Sequence, residues 1–144
     1  MAEENAASWN LKAFRYYYIP VPPNGIAGIV VEPTEELVRL QRRLLNALAR
    51  FTEKTGTAAA FVSAVGGRDI QDGLIDYVAN FSAIAAGEKF NPHVTIGVAP
   101  EAYLKEMLAE PFKAFTFSPA GASVYQLGSY GAARKKLRAL SLTP

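Results

Sequence analysis

Cysteine is absent from the 144 residues of this chain. That removes disulfides, thiolate nucleophiles and cysteine-ligated zinc together, and it accords with a reducing compartment. Histidine is almost absent too, His93 being the only one. A metal site would have to be completed by carboxylates alone, so neither metal nor cofactor is expected. Ser63, in "SAVGG", has no second histidine with which to build a triad, and "VGGRD" lacks the lysine and spacing of a phosphate-binding loop. Charge of one sign is scarce: a formal net charge of +2 is too small to predict nucleic-acid binding from bulk electrostatics. No apolar run approaches the ~20 residues of a membrane span, so no membrane partner is expected. The opening "MAEENAASWN" is acidic and polar, unlike a signal peptide, which points to the cytoplasm.

What is present is globular. Half of the residues are hydrophobic and 19% are charged, enough for one ordinary domain over 1–144 with a real core. "WNLKAFRYYYIPVP" reads as an extended aromatic segment ended by prolines, "NG" at 24–25 as a turn, and "IAGIVVEP" as a second strand pairing with the first. A helix follows Thr34, with Glu35 and Glu36 in its first turn and Leu37, Leu40, Leu44, Leu48 and Phe51 forming an apolar stripe. Arg39, Arg42, Arg43 and Arg50 lie mostly off that stripe. After a loop-like stretch, a second helix is expected from about Asp69 to Ala86, with Gly87 as its stop. "FNPHVTIGVAP" alternates as a strand, and Pro100 opens a short helix closed before Pro111. "AFTFSP" and "GASVYQLG" read as strands, while "AARKKLRAL" fits either a helix or an edge strand. The order β-β-α-α-β-α-β-β predicts an α+β fold with an antiparallel sheet and packed helices.

Three clusters carry candidate chemistry. In strand "HVTIG", His93, Thr95 and Gly97 share one face, while Val94, Ile96 and Val98 share the other. An imidazole then stands beside a hydroxyl, with ~7 Å between alpha carbons, and Asn91-Pro92 stiffens the approach. Imidazole exchanges protons near neutral pH and threonine can hold a phosphoryl oxygen, a pair suited to phosphate chemistry. In the first strand Lys12, Phe14, Tyr16 and Tyr18 alternate onto one face, with Arg15 and Tyr17 on the other. Such aromatics either stack bases or pack the sheet, and Lys12 can meet phosphate. The basic run Arg134, Lys135, Lys136 and Arg138 is either a solvated edge or a lure for a phosphate-bearing ligand. Glu88 and Glu101 flank the histidine strand.

"PHVTIG", between a long and a short helix, resembles the second His-x-Thr motif of the two-histidine (2H) phosphoesterase superfamily. "LKAFRYYYIP" and "GIAGIVVEPTEEL" upstream, and "EAYLKEMLAEPFKAFTFSPAGASVYQLGSYGAARKKL" downstream, extend the likeness to its bacterial 2'-5' RNA ligase and cyclic phosphodiesterase branch. The resemblance implies a bilobal fold with two such motifs facing a groove, one histidine acting as base and the other as acid, without metal. It makes His93 an acid/base and Thr95 a phosphate-oxygen donor; the strand pattern adds Lys12, Tyr16 and Tyr18, and the basic run adds Arg134, as candidate substrate contacts. The partner implied is a nucleotide or RNA bearing a 2',3'-cyclic or 2'-5' phosphodiester.

The chain departs from that pattern, because no first His-x-Thr precedes "LKAFRYYYIP". It reads as the C-terminal two-thirds of such a protein, whether a fragment, a late-start gene or a natural half, and a targeting segment lost with the first part would not show. Three readings stay open. The chain is an enzyme working through His93, with a homodimer bringing two imidazoles together. Or it is a module that holds a nucleotide or RNA end without turnover. Or it is an inactive fragment that self-associates through an exposed sheet edge or groove.

Overall fold

In the computed structural model, which describes residues 8–53 and 55–141, the aromatic run near the start of the chain forms β1, Leu11–Val21. Pro22 and Pro23, joined by a cis peptide bond, turn it into β2, Asn24–Val31. The expected turn at Asn24-Gly25 is therefore displaced by two residues. Asn24 and Gly25 already pair with Val21 and Pro20 inside the hairpin. Proline cannot continue the ladder, whereas Gly25 leaves room for the Tyr18 and Leu104 side chains that close over it.

The described residues divide into two compact units. The first takes 8–34 and 91–120 and holds a four-stranded antiparallel sheet in the order β3-β2-β1-β4, with β3 His93–Pro100 and β4 Phe115–Phe117 at its edges. A helix over Glu101–Ala109 packs on one face of that sheet. Its Leu104 and Met107, three residues apart, bury against Ala27 with Tyr16, Tyr18 and Ala99 around them. The Phe112 ring then stands edge-on to Tyr16 at 4.7 Å. Burying a leucine as fully as Leu104, 1% exposed, stabilises by roughly 1.5–3 kcal/mol.

Two β-bulges decide which side chains share a face. Between Ala13↔Val31 and Arg15↔Val30 the first strand carries one extra residue, Phe14. Between Gly28↔Thr95 and Ala27↔Gly97 the third carries Ile96. Strict alternation fails at both points. Gly97 pairs with Ala27 and so lies opposite to Thr95, whereas the sequence pattern puts them together. Val94, Ile96 and Val98 do not share one face either, since Val94 pairs with Ile29 and Val98 with Ile26 across the bulge, and all three are exposed on the edge strand β3.

The second unit takes 35–90 and 121–141. Its first helix, α1 Glu35–Leu48, forms where the leucine spacing predicts it. Leu37 and Leu40 of the expected stripe are half-buried, but so are Val38, Gln41 and Leu45, while Leu44 and Leu48 are each 52% exposed, so the covered side is rotated toward Gln41. Gln41 explains this rotation, because its amide donates to the Ala85 carbonyl at 2.9 Å and accepts from Gly87 N–H at 3.3 Å.

The single helix expected over 69–86 is instead α2, Asp72–Ala79, and α3, Phe81–Ile84. It starts late because the Asp69 side chain is bonded to Ser63, Ala64 and Ser129, which holds residue 69 in the preceding turn. It breaks at Asn80, whose side-chain amide and backbone N–H both bond the Asp76 carbonyl, a local competition that asparagine favours. The helix of the first unit is thus α4 in chain order. Phe61 and Ile70 are buried. The final "AARKKLRAL" is a strand, β6 Ala133–Ser141, paired antiparallel with β5 Gly121–Leu127.

Candidate functional site

Residues directly opposite in paired strands share a sheet face. The ladders therefore build two rows across β1, β2 and β3, one of Arg15, Val30 and His93, the other of Tyr17, Gly28 and Thr95. All six positions lie on the face away from Leu104. Val30 is buried beneath its row, and His93 and Thr95 are exposed beside each other on the edge strand.

Gly28 matters here because it has no side chain. A Cβ at that position would collide with the Tyr17 ring, so the ring lies across β2 where a side chain would otherwise stand. It thereby reaches the imidazole, with centroids 5.3 Å apart and planes at 70°. Such an edge contact orients the ring it touches.

The imidazole has a second constraint. His93 Nδ1 lies 2.8 Å from the Asn91 carbonyl oxygen, which can only accept, so Nδ1 carries the hydrogen. In the neutral ring Nε2 then holds the lone pair. Pro92 stiffens the link between the two residues, and its carbonyl accepts from Val31 N–H at 2.9 Å. The tautomer follows from backbone geometry.

Lys12 joins this face. Phe14 is the extra residue of the bulge, so Lys12 falls on the opposite side from Ala13, and its ammonium meets Glu32 at 3.3 Å. Both partners are about half exposed, and such a pair is worth about 0–1 kcal/mol. Lys12 and Arg15 give the face a positive character that Glu32 offsets in part.

Tyr16 and Tyr18 do not belong with Lys12, contrary to the alternation read from the sequence. The bulge at Phe14 sends them to the other face, where they pack half-buried around Leu104 and Met107. Arg15 and Tyr17, which strict alternation puts off the candidate face, are the residues that share it with His93. The signal that could have shown this is Gly28, since a glycine inside a strand often marks a close approach by another group.

The other candidates fall elsewhere. Glu101 pairs with Lys105 at 3.8 Å in the first turn of α4, and Glu88 belongs to the second unit. Arg134 also belongs to the second unit, where it lines a cavity with Ser63, Asp69 and Ser129. Lys136 sits over the Tyr125 ring at 5.7 Å, while Lys135 and Arg138 are exposed along β6. Ser63 is not an open nucleophile. It donates to Asp69 and accepts from the backbone N–H groups of Val65 and Gly67, which occupies both its lone pairs. Among the described residues, no three histidine, cysteine or carboxylate side chains gather to hold a metal ion.

No family model, curated protein or solved structure matches this chain.

Proposed function

We propose that the face bearing Arg15, Tyr17, His93 and Thr95 handles a phosphodiester by metal-free histidine chemistry, with a 2',3'-cyclic nucleotide or RNA end as substrate. The observation that carries this reading is the state of His93. Its Nδ1 is committed to Asn91, it is exposed, and Thr95 follows on the same face. The similarity of "PHVTIG" and its flanks to the 2H phosphoesterases supports the same assignment.

As imidazolium, His93 donates its Nε2 proton to the departing ribose oxygen while water adds to phosphorus. The ester P–O bond breaks, the water's extra proton passes to solvent, and the product is a nucleoside monophosphate. Thr95 Oγ donates to a non-bridging oxygen, and Lys12 and Arg15 offset the phosphate charge. Tyr17 offers a surface for the base or holds the imidazole at its angle.

One observation favours a second reading, binding without turnover: there is one imidazole per chain, so no second ring activates the water. Titration with 2',3'-cyclic AMP in EDTA, following the His93 ring resonances and the nucleotide together, separates the two. A shift in Nε2 with product formation supports hydrolysis, and a shift without product supports the binding module. No shift at all overturns both.

A further inference from the structure

The second unit contains a cavity of about 370 Å³ that this reading does not use. Its polar lining is Ser63, Asp69, Ser129 and Arg134, and Val62, Ala64 and Ala132 supply apolar wall. That volume falls at the small end of ligand pockets.

The Asp69 carboxylate is held in place by its neighbours. Asp69 accepts from the Ser63 hydroxyl, from Ser129 Oγ at 2.9 Å and from Ala64 N–H at 3.3 Å, which fixes both oxygens. The neighbouring backbone is drawn in as well, Tyr130 standing at φ 58 with its N–H on the Gln71 side-chain oxygen at 3.1 Å. Positive φ at a tyrosine is held only by such surroundings. Arg134 is the extra residue of a bulge between Gln126↔Lys135 and Leu127↔Ala133, a device that redirects a side chain. Its stem runs beside Gly128, where an added Cβ would press on Arg134 Cβ at 3.2 Å and on the Val62 carbonyl at the same distance.

Opposite charges therefore line one cavity, yet among the described residues no ion pair joins Arg134 to Asp69. A simple anion would pair with the guanidinium and be repelled by the carboxylate. A simple cation would suffer the reverse. A ligand carrying both charges satisfies both groups at once. We propose that this cavity binds a free α-amino acid as its zwitterion, the carboxylate on Arg134, the ammonium on Asp69 and a small apolar side chain against Val62 and Ala132.

Calorimetric titration of the full chain with L-alanine and L-valine tests this. Binding is expected, weakened about tenfold or more for N-acetyl-L-alanine, which lacks the ammonium, and for L-alaninamide, which lacks the carboxylate. Arg134→Gln should lose about tenfold or more against L-alanine. Asp69→Asn should lose as much, and if it fails to fold the Arg134 variant and the two blocked ligands still decide. His93→Ala should bind L-alanine as the unaltered chain does, which separates this site from the phosphodiester reading. Absence of binding at about 10 mM amino acid, equal binding of acetate, or indifference to Arg134→Gln would overturn the proposal.

Discussion

The ring of Tyr17 stands edge-on to the imidazole of His93 at 5.3 Å, having crossed a strand that lies between them. Gly28 permits the crossing, so the shape of the candidate site depends on an absent side chain. Gly28→Ala should displace the Tyr17 ring and cost about 1–3 kcal/mol, as overpacking does. Urea denaturation reads the cost, and a changed His93 ring spectrum reads the displacement. An unchanged spectrum would mean that Tyr17 does not orient the imidazole.

Leu104 is the most enclosed large side chain of the first unit and holds α4 on the face opposite His93. Leu104→Ala should destabilise by about 2–5 kcal/mol in urea denaturation. Because the two groups sit on opposite faces, the His93 ring resonances of the folded fraction should be preserved.

Acidification should expose the role of Asp69. Its carboxyl is lowered from 3.8 to about 2, first by the Ser63 hydroxyl and further by Ser129 and Ala64, against some desolvation. A depressed folded-state value contributes stability that is present above the unfolded value and lost as pH falls. The urea midpoint should therefore drop between about pH 4 and pH 2, and Asp69→Asn should flatten that drop. A drop as steep in the variant would assign it to other carboxylates.

Much of the architecture was legible along the chain. Leucine spacing locates α1, alternation locates β3, and Pro100 and Pro111 bracket α4, because these signals depend on near neighbours. Faces were less legible. One extra residue at Phe14 and another at Ile96 invert the alternation beyond them, and a bulge depends on the partner strand rather than on local pattern. His93 and Thr95 share a face as their spacing implies, but their neighbours changed from Tyr16 and Tyr18 to Arg15 and Tyr17. The cluster of Ser63, Asp69 and Ser129 was not legible, since Ser129 arrives from 60 residues away.

Thr95 supplies a hydroxyl to the proposed phosphate site without any proton exchange of its own. Thr95→Val should weaken 2',3'-cyclic AMP binding about tenfold, the worth of one hydrogen bond to a charged group, and leave the His93–Asn91 contact in place. Fluorescence or calorimetric titration measures it, and undiminished affinity would remove Thr95 from the site.

The most direct measurement is the rate of 2',3'-cyclic AMP hydrolysis in EDTA for the unaltered chain and for His93→Ala. Loss of the sole imidazole should slow the reaction about 100-fold or more, the usual contribution of a positioned acid or base. Measurable turnover at equal rates in the two proteins would contradict the assignment of His93 as the proton donor.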